Sequence, residues 1–114
     1  MRKGEVWLIQ LDPTIGAEIK KTRPVIIVSS DSIGILPLKI IVPLTDWKNR
    51  LARVPWMVRV DPDSQNGLNK LSAADAFQVR SVDERRFVRR LGTVNDRVMS
   101  ALGEALALVL GIVP

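Results

Sequence analysis

The sequence predicts a mainly β domain: a small, curled, mostly antiparallel sheet or barrel, with one terminal helix covering an open end. Three observations carry that prediction. Short apolar runs rich in β-branched residues recur along the chain and are stopped by Asp, Pro, Ser or Gly. The last stretch changes to helical spacing. A length of 114 residues leaves room for one domain, taken here as residues 1–114.

Glu5-Val6-Trp7-Leu8-Ile9-Gln10-Leu11 is apolar on both alternating faces, as in a strand buried in a sheet, and Asp12-Pro13-Thr14 turns the chain out of it. Pro24-Val25-Ile26-Ile27-Val28 is the second strand, closed by Ser29-Ser30-Asp31-Ser32 and Gly34. Between them runs Asp12 to Thr22, a polar segment too long for a tight hairpin turn, and long loops in small domains tend to be functional. Lys39 to Thr45 is a third strand, whose Pro43 cannot donate to a ladder and so predicts an edge or a bulge. In Val54 to Val60, Trp56, Val58 and Val60 share a face, Asp61-Pro62-Asp63 ends the run, and residues 61–70 read as loop. Ala74 to Arg80 and Phe87 to Gly92 read as two more short strands, joined by Ser81 to Arg86 with space for a helical turn. Val98, Leu102, Ala105, Leu106 and Val109 then recur at helical spacing between a capping Asn95 and a terminating Gly111. That helix is expected to lay one face on the sheet.

Composition narrows the chemistry. An apolar content of 46% and a charged content of 25% are ordinary for a folded globular domain. With no cysteine and no histidine, the chain has no disulfide, no thiolate nucleophile, no Cys/His zinc site and no imidazole for acid–base work. No cofactor and no metal are expected. Seventeen Lys and Arg against twelve Asp and Glu give a net charge of +5, which favours a polyanionic partner. The apolar run from Ala105 to Val113 falls far short of the roughly 20 residues that cross a bilayer. Met1-Arg2-Lys3-Gly4-Glu5 leads straight into a strand without the features of a secretory signal, so no membrane association and a cytoplasmic location are expected.

Beyond composition, the chain carries ordered motifs. Arg2-Lys3-Gly4-Glu5-Val6-Trp7, Leu11-Asp12-Pro13, Gly16-Ala17-Glu18 and Lys21-Thr22-Arg23-Pro24-Val25-Ile26-Ile27-Val28-Ser29 resemble, in order and spacing, the opening of the MazF/PemK/Kid toxin family. Ile41-Val42-Pro43-Leu44-Thr45 resembles that family's third strand, and Ala76-Phe77-Gln78-Val79-Arg80-Ser81-Val82-Asp83 its Gln-x-Arg-Thr-Ile-Asp stretch. The resemblance covers nearly the whole chain. It implies an SH3-like twisted barrel of the CcdB/MazF/Kid type and a homodimer that binds single-stranded RNA in a groove at its interface. It also implies a cognate antitoxin protein, whose C-terminal segment occupies the same groove. The implied activity is that of a type II toxin–antitoxin toxin, a metal-independent, sequence-specific endoribonuclease acting on mRNA.

Cleavage of RNA without metal requires the 2′-hydroxyl to attack its own phosphorus while the 5′-oxygen leaves, giving a 2′,3′-cyclic phosphate. The protein must hold that geometry, stabilise charge on the phosphoryl oxygens and move protons. By resemblance, Arg23 matches the family's catalytic arginine and Thr45 its partner threonine; a guanidinium fork and a short hydroxyl suit phosphoryl oxygens. Arginine is effectively always protonated, so it suits donation to the leaving 5′-oxygen better than base chemistry. Glu18 is the third catalytic candidate, although Ala17 stands where many relatives carry Ser. Some relatives place an Arg and an Asp just before the Gln-x-Arg segment; Asp75 and Phe77 stand at those positions, so that pair is absent.

Gln78 and Arg80 are RNA-binding candidates, as an amide able to read a base edge and a guanidinium able to hold phosphate. Lys20 and Lys21 join them, with Trp47 as a stacking platform, whereas Trp7 and Trp56 are read as core. Arg85, Arg86, Arg89 and Arg90 either track an RNA backbone or form a solvated face. Fold leaves two other functions open: a CcdB-like poison of DNA gyrase, and a catalytically inactive RNA-binding relative.

Overall fold

The sheet is built around its longest strand. The computed structural model describes residues 1–33 and 35–112, so Gly34, offered above as part of a strand stop, and Val113, the end of the apolar run, lie outside the described residues. The strands are β1 (Glu5–Gln10), β2 (Thr22–Ile27), β3 (Leu38–Asp46), β4 (Met57–Val60), β5 (Ser72–Asp75), β6 (Arg80–Asp83) and β7 (Phe87–Thr93). The helix α1 (Asp96–Leu110) follows. The strand order is β4-β5-β3-β2-β1-β7, with β6 also on β3, and all pairings are antiparallel.

β3 has β2 on one side, through Val25↔Pro43 to Ile27↔Ile41. On its other side it changes partner partway along. Leu38 to Ile41 pair with β6, and Leu44 to Asp46 pair with β5. Of the edge or bulge that Pro43 predicts, the structure shows no edge, but a break between two pairings. Pro43 sits where β3 has left β6 and not yet joined β5, so its missing N–H interrupts no ladder.

The same change of partner breaks the strand expected from Ala74 to Arg80. β5 ends at Asp75, a one-turn 3₁₀ helix spans Ala76–Gln78, and β6 starts at Arg80. Asp75 caps that turn by accepting from the Phe77 N–H at 3.1 Å. The expected linker from Ser81 to Arg86 is thus half strand, with its helical turn confined to Glu84–Arg86.

Apolar side chains pack on both faces of the sheet. Val6, Ile26, Val42 and Leu44 join Val58, Val60, Ala74 and the helix residues Val98, Leu102 and Ala105 in one core. Ile9, Leu11, Val25, Ile27, Ile41 and Val82 form a second, against which Trp7, Ile19 and Phe87 pack. This double burial explains why β1 is apolar in both registers. Trp56 packs on the first core and Trp7 on the second, as expected.

The helix starts where the Asn95 side chain accepts from the Val98 N–H at 2.9 Å and stops at Gly111, whose φ of 70° is left-handed. The 61–70 loop is tied down from within by Asn66, which is 1% exposed. Its Oδ1 accepts from the N–H groups of Asp63 and Leu68, and its Nδ2 donates to the Asp61 carbonyl. Thr93 N–H reaches the Gln65 carbonyl at 2.8 Å, which docks the loop beside β7.

Candidate active site

Two clefts lie near the loop between β1 and β2. The first, of 490 Å³, collects residues from five strands and the docked 61–70 loop. β2 contributes Thr22, Arg23 and Pro24; β3 contributes Leu44, Thr45 and Asp46; β5 contributes Ser72. Asn69 and Lys70 come from the loop, and Leu8, Arg89 and Leu91 complete the wall.

Arg23 is half-buried at the start of β2, and its Nε donates to the Lys20 carbonyl at 3.4 Å. Thr45 is half-buried near the end of β3, and its neighbour across the ladder is Ala73. Among the described residues neither the Thr45 hydroxyl nor the head groups of Lys70 and Arg89 have a protein partner. Three cationic side chains, Arg23, Lys70 and Arg89, thus face one carboxylate, Asp46, across a cleft edged with hydroxyls. A site with that balance suits an anionic ligand whose oxygens take several donors.

The second cleft, of 530 Å³, is lined by Glu18, Gln78 and Arg80 among apolar residues including Ile15, Ile19 and Phe77. Glu18 turns back on its own loop, where Oε1 accepts from the Ile15 N–H at 2.6 Å. The Gln78 amide is also occupied. Its Oε1 accepts from Ile19 N–H at 2.6 Å, and its Nε2 donates to Asp75 Oδ2 at 3.3 Å and to the Ala17 carbonyl at 3.4 Å.

The structure therefore brings Arg23 and Thr45 together, groups Glu18, Gln78 and Arg80 elsewhere, and leaves Lys20, Lys21 and Trp47 outside both clefts. Lys20 and Lys21 are exposed on the loop, Lys21 with a left-handed φ of 69°. Trp47 carries Arg59 over its ring at 5.7 Å, so that face is taken.

The basic run divides. Arg85 pairs with Asp83 at 3.0 Å, Arg86 donates to the Gln10 and Asp12 carbonyls, and Arg90 pairs with Glu5 at 3.1 Å. Arg89 alone of the four lines the Arg23 cleft. Period-two alternation along β7 is the signal that separates it from its neighbours, because Arg89 stands opposite Leu8 on β1. Lys70, on a loop, carried no such signal. Asp75 was passed over as well: it is 7% exposed, and burial pushes its carboxyl above the ordinary range despite hydrogen bonds from Phe77 and Gln78.

The chain also resembles known proteins along nearly its whole length. Residues 2–110 match the family model described as PemK-like, MazF-like toxin of type II toxin–antitoxin system. The chain is 33% identical to endoribonuclease MazF9 of Mycobacterium tuberculosis, with 98% of each chain covered. It is 30% identical to endoribonuclease MazF of Staphylococcus saprophyticus, covering 98% of this chain and 92% of that one. Among solved structures, MazF of Deinococcus radiodurans superposes with a TM-score of 0.82 at 23% identity, covering 98% of this chain and 97% of that one, and shows the same fold. The chain belongs to the PemK-like, MazF-like toxins of type II toxin–antitoxin systems and is an endoribonuclease.

Proposed function

We propose that the Arg23 cleft is where RNA is cut, without metal, by attack of a 2′-hydroxyl on the adjacent phosphorus. The observation that carries this reading is the convergence of Arg23, Thr45, Lys70 and Arg89 on one cleft. In the reaction, the 2′-oxygen bonds to phosphorus, the bond from phosphorus to the 5′-oxygen breaks, and the products are a 2′,3′-cyclic phosphate and a 5′-hydroxyl. Arg23 and the Thr45 hydroxyl hydrogen-bond the phosphoryl oxygens as negative charge grows on them, and Arg23 donates to the departing 5′-oxygen. Lys70, as a point charge, and Arg89, through its guanidinium fork, hold the flanking phosphates. Asp46 lines this cleft whereas Glu18 lines the neighbouring one, which supports Asp46 as the group that takes the 2′-proton.

The protein works as a homodimer that binds single-stranded RNA and is silenced by a cognate antitoxin protein, whose C-terminal segment competes for the same groove. Structural neighbours described as an endoribonuclease with its cognate antitoxin from a mycobacterial species, and as MazE–MazF from Deinococcus radiodurans, support the antitoxin reading. Large apolar side chains left exposed at the start of β3 and just before it, including Leu36, Leu38 and Ile40, suit a surface covered by a second copy.

The test is incubation of purified protein with a long unstructured RNA in EDTA, with cut sites mapped and 3′-ends analysed. Cuts at a short recurring sequence with cyclic ends are expected. Arg23→Ala is expected to lose cleavage by about a hundredfold or more while melting at nearly the wild-type temperature. A folded Arg23→Ala protein with wild-type activity, or loss of cleavage in chelator, overturns the mechanism.

A further inference from the structure

The loop between β1 and β2 is held at two places. At its base, Lys21 N–H donates to Asp12 Oδ1 at 3.1 Å, Leu11 N–H donates to the Lys21 carbonyl at 3.0 Å, and Arg86 clasps the Asp12 carbonyl at 2.6 Å. At its far side, where the Ile19 side chain packs on the second core, the polar tie is one side chain, Gln78, more than fifty residues away in sequence. Its amide accepts from Ile19 N–H and donates to the Ala17 carbonyl, so both hydrogen-bonding ends of the amide engage loop backbone.

Gln78 is itself oriented. Asp75 Oδ2 accepts from Gln78 Nε2 at 3.3 Å, while Asp75 Oδ1 accepts from Phe77 N–H at 3.1 Å. A carboxylate accepts only, so the Gln78 nitrogen must face Asp75 and its oxygen must face Ile19. One residue beyond Ile19, the Lys20 carbonyl accepts from Arg23 Nε at 3.4 Å. The contacts run from Asp75 through Gln78 to the Ile19–Lys20 backbone and so to the Arg23 guanidinium.

We infer that Asp75 and Gln78 are positioning residues for cleavage, forming a latch that fixes the loop and, through the Lys20 carbonyl, aims Arg23 into its cleft. Neither touches the reacting phosphate. The inference rests on the assignment of Arg23 as catalytic. It also reassigns Gln78 from reading a base to holding the loop, since its amide has no free donor–acceptor pair to offer a base edge until the loop is released.

Two substitutions isolate the latch. Gln78→Leu puts in an apolar side chain one atom shorter than Gln and removes both bonds to the loop. Asp75→Asn keeps its size and, with the oxygen still accepting from Phe77 N–H, turns an amide donor toward the Gln78 donor. The readouts are hydrogen exchange at the Ile19 amide, single-turnover cleavage of an unstructured RNA oligonucleotide, and the melting temperature. Both variants are expected to melt near the wild type, exchange the Ile19 amide about tenfold faster and lose up to about a hundredfold in the cleavage step. KM is expected to move less than kcat. The double variant is expected to be no worse than Gln78→Leu alone, because the two act as one unit.

Unchanged exchange at Ile19 overturns the latch. Faster exchange with wild-type cleavage shows that the loop is held but does not aim Arg23, and overturns the positioning role. Additive losses in the double variant overturn the single chain of contacts. An Arg23→Ala control in the same series separates the two readings: if it cleaves like the wild type, the assignment of Arg23 fails, whereas Ile19 exchange still reports on the latch.

Discussion

Two carboxylates respond to pH in opposite directions, and their surroundings say why. Glu5 Oε1 accepts from Arg2 N–H at 3.0 Å and from Trp7 Nε1 at 2.9 Å, and its Oε2 accepts from Arg90 Nε at 3.1 Å. Burial pushes its carboxyl up, but these bonds, with the charges of the N-terminus and Arg90, outweigh it and hold the group below the ordinary 4.5. Folding therefore favours the ionised form, so Glu5 stabilises the protein above about pH 4.5 and loses that effect as pH falls through its folded value. Glu5→Gln is expected to cost about 1–2 kcal/mol in urea unfolding at neutral pH, and the gap from wild type is expected to shrink in acid. Asp75 has the reverse sign. Its carboxyl is raised, so its contribution is fullest below the ordinary 3.8 and is lost as pH rises through the raised value. Relative to Asp75→Asn, the wild type is expected to lose stability over that rise; a gap that widens in its favour contradicts the assignment.

At the scale of elements, ends and junctions carry more information than strand interiors. Asn95→Ala removes the bond to Val98 N–H at the start of α1 and is expected to cost about 1 kcal/mol. Gly92 in β7 is stricter. A Cβ there would lie 2.1 Å from the Gln65 carbonyl oxygen and 2.6 Å from the Asn66 carbonyl carbon, backbone atoms that cannot swing aside. Gly92→Ala is expected to destabilise by about 3 kcal/mol, more than loss of the helix cap, because the 61–70 loop must lift off β7. The same movement would displace Asn69 and Lys70 from the Arg23 cleft, so residual folded Gly92→Ala protein is expected to cleave RNA more slowly. Denaturant midpoints for the two variants, measured side by side, check the order.

For the molecule as a whole, the net charge of +5 overstates how much positive charge is free to meet RNA. Arg85, Arg86 and Arg90 are engaged with Asp83, backbone carbonyls and Glu5, whereas Lys70 and Arg89 open onto the cleft. Under the proposed function, Arg89→Ala is expected to weaken RNA binding and lower the slope of log affinity against log salt by about 0.7–1, the signature of one lost phosphate contact. Arg85→Ala is expected to leave that slope nearly unchanged. Fluorescence anisotropy of a labelled single-stranded RNA over a salt series compares them directly. Equal slopes for Arg89→Ala and wild type would remove Arg89 from the interface.

How much of this was legible in the linear chain follows from the range of the forces involved. The terminal helix could be placed between Asn95 and Gly111 because caps and apolar spacing are local, and β1, β2 and β3 because a strand buried on both faces must be apolar in both registers. Arg23 and Thr45 were picked out by motif resemblance, which encodes a spatial relation the residues themselves do not state. The exchange of partners along β3 was not legible, since Pro43 looks the same at an edge as at a junction between β6 and β5. The sorting of cations was legible only in part: Asp83 claims Arg85 from two residues away and strand alternation sets Arg89 apart from Arg90, but Arg86 and Arg90 are taken by partners more than seventy residues away, Gln10 and Asp12 for one and Glu5 for the other. Local propensity and pattern determined the elements of this protein. The tertiary structure decided which polar groups were used up in holding them together, because hydrogen bonds and ion pairs are satisfied between whichever groups the fold brings within about 3 Å.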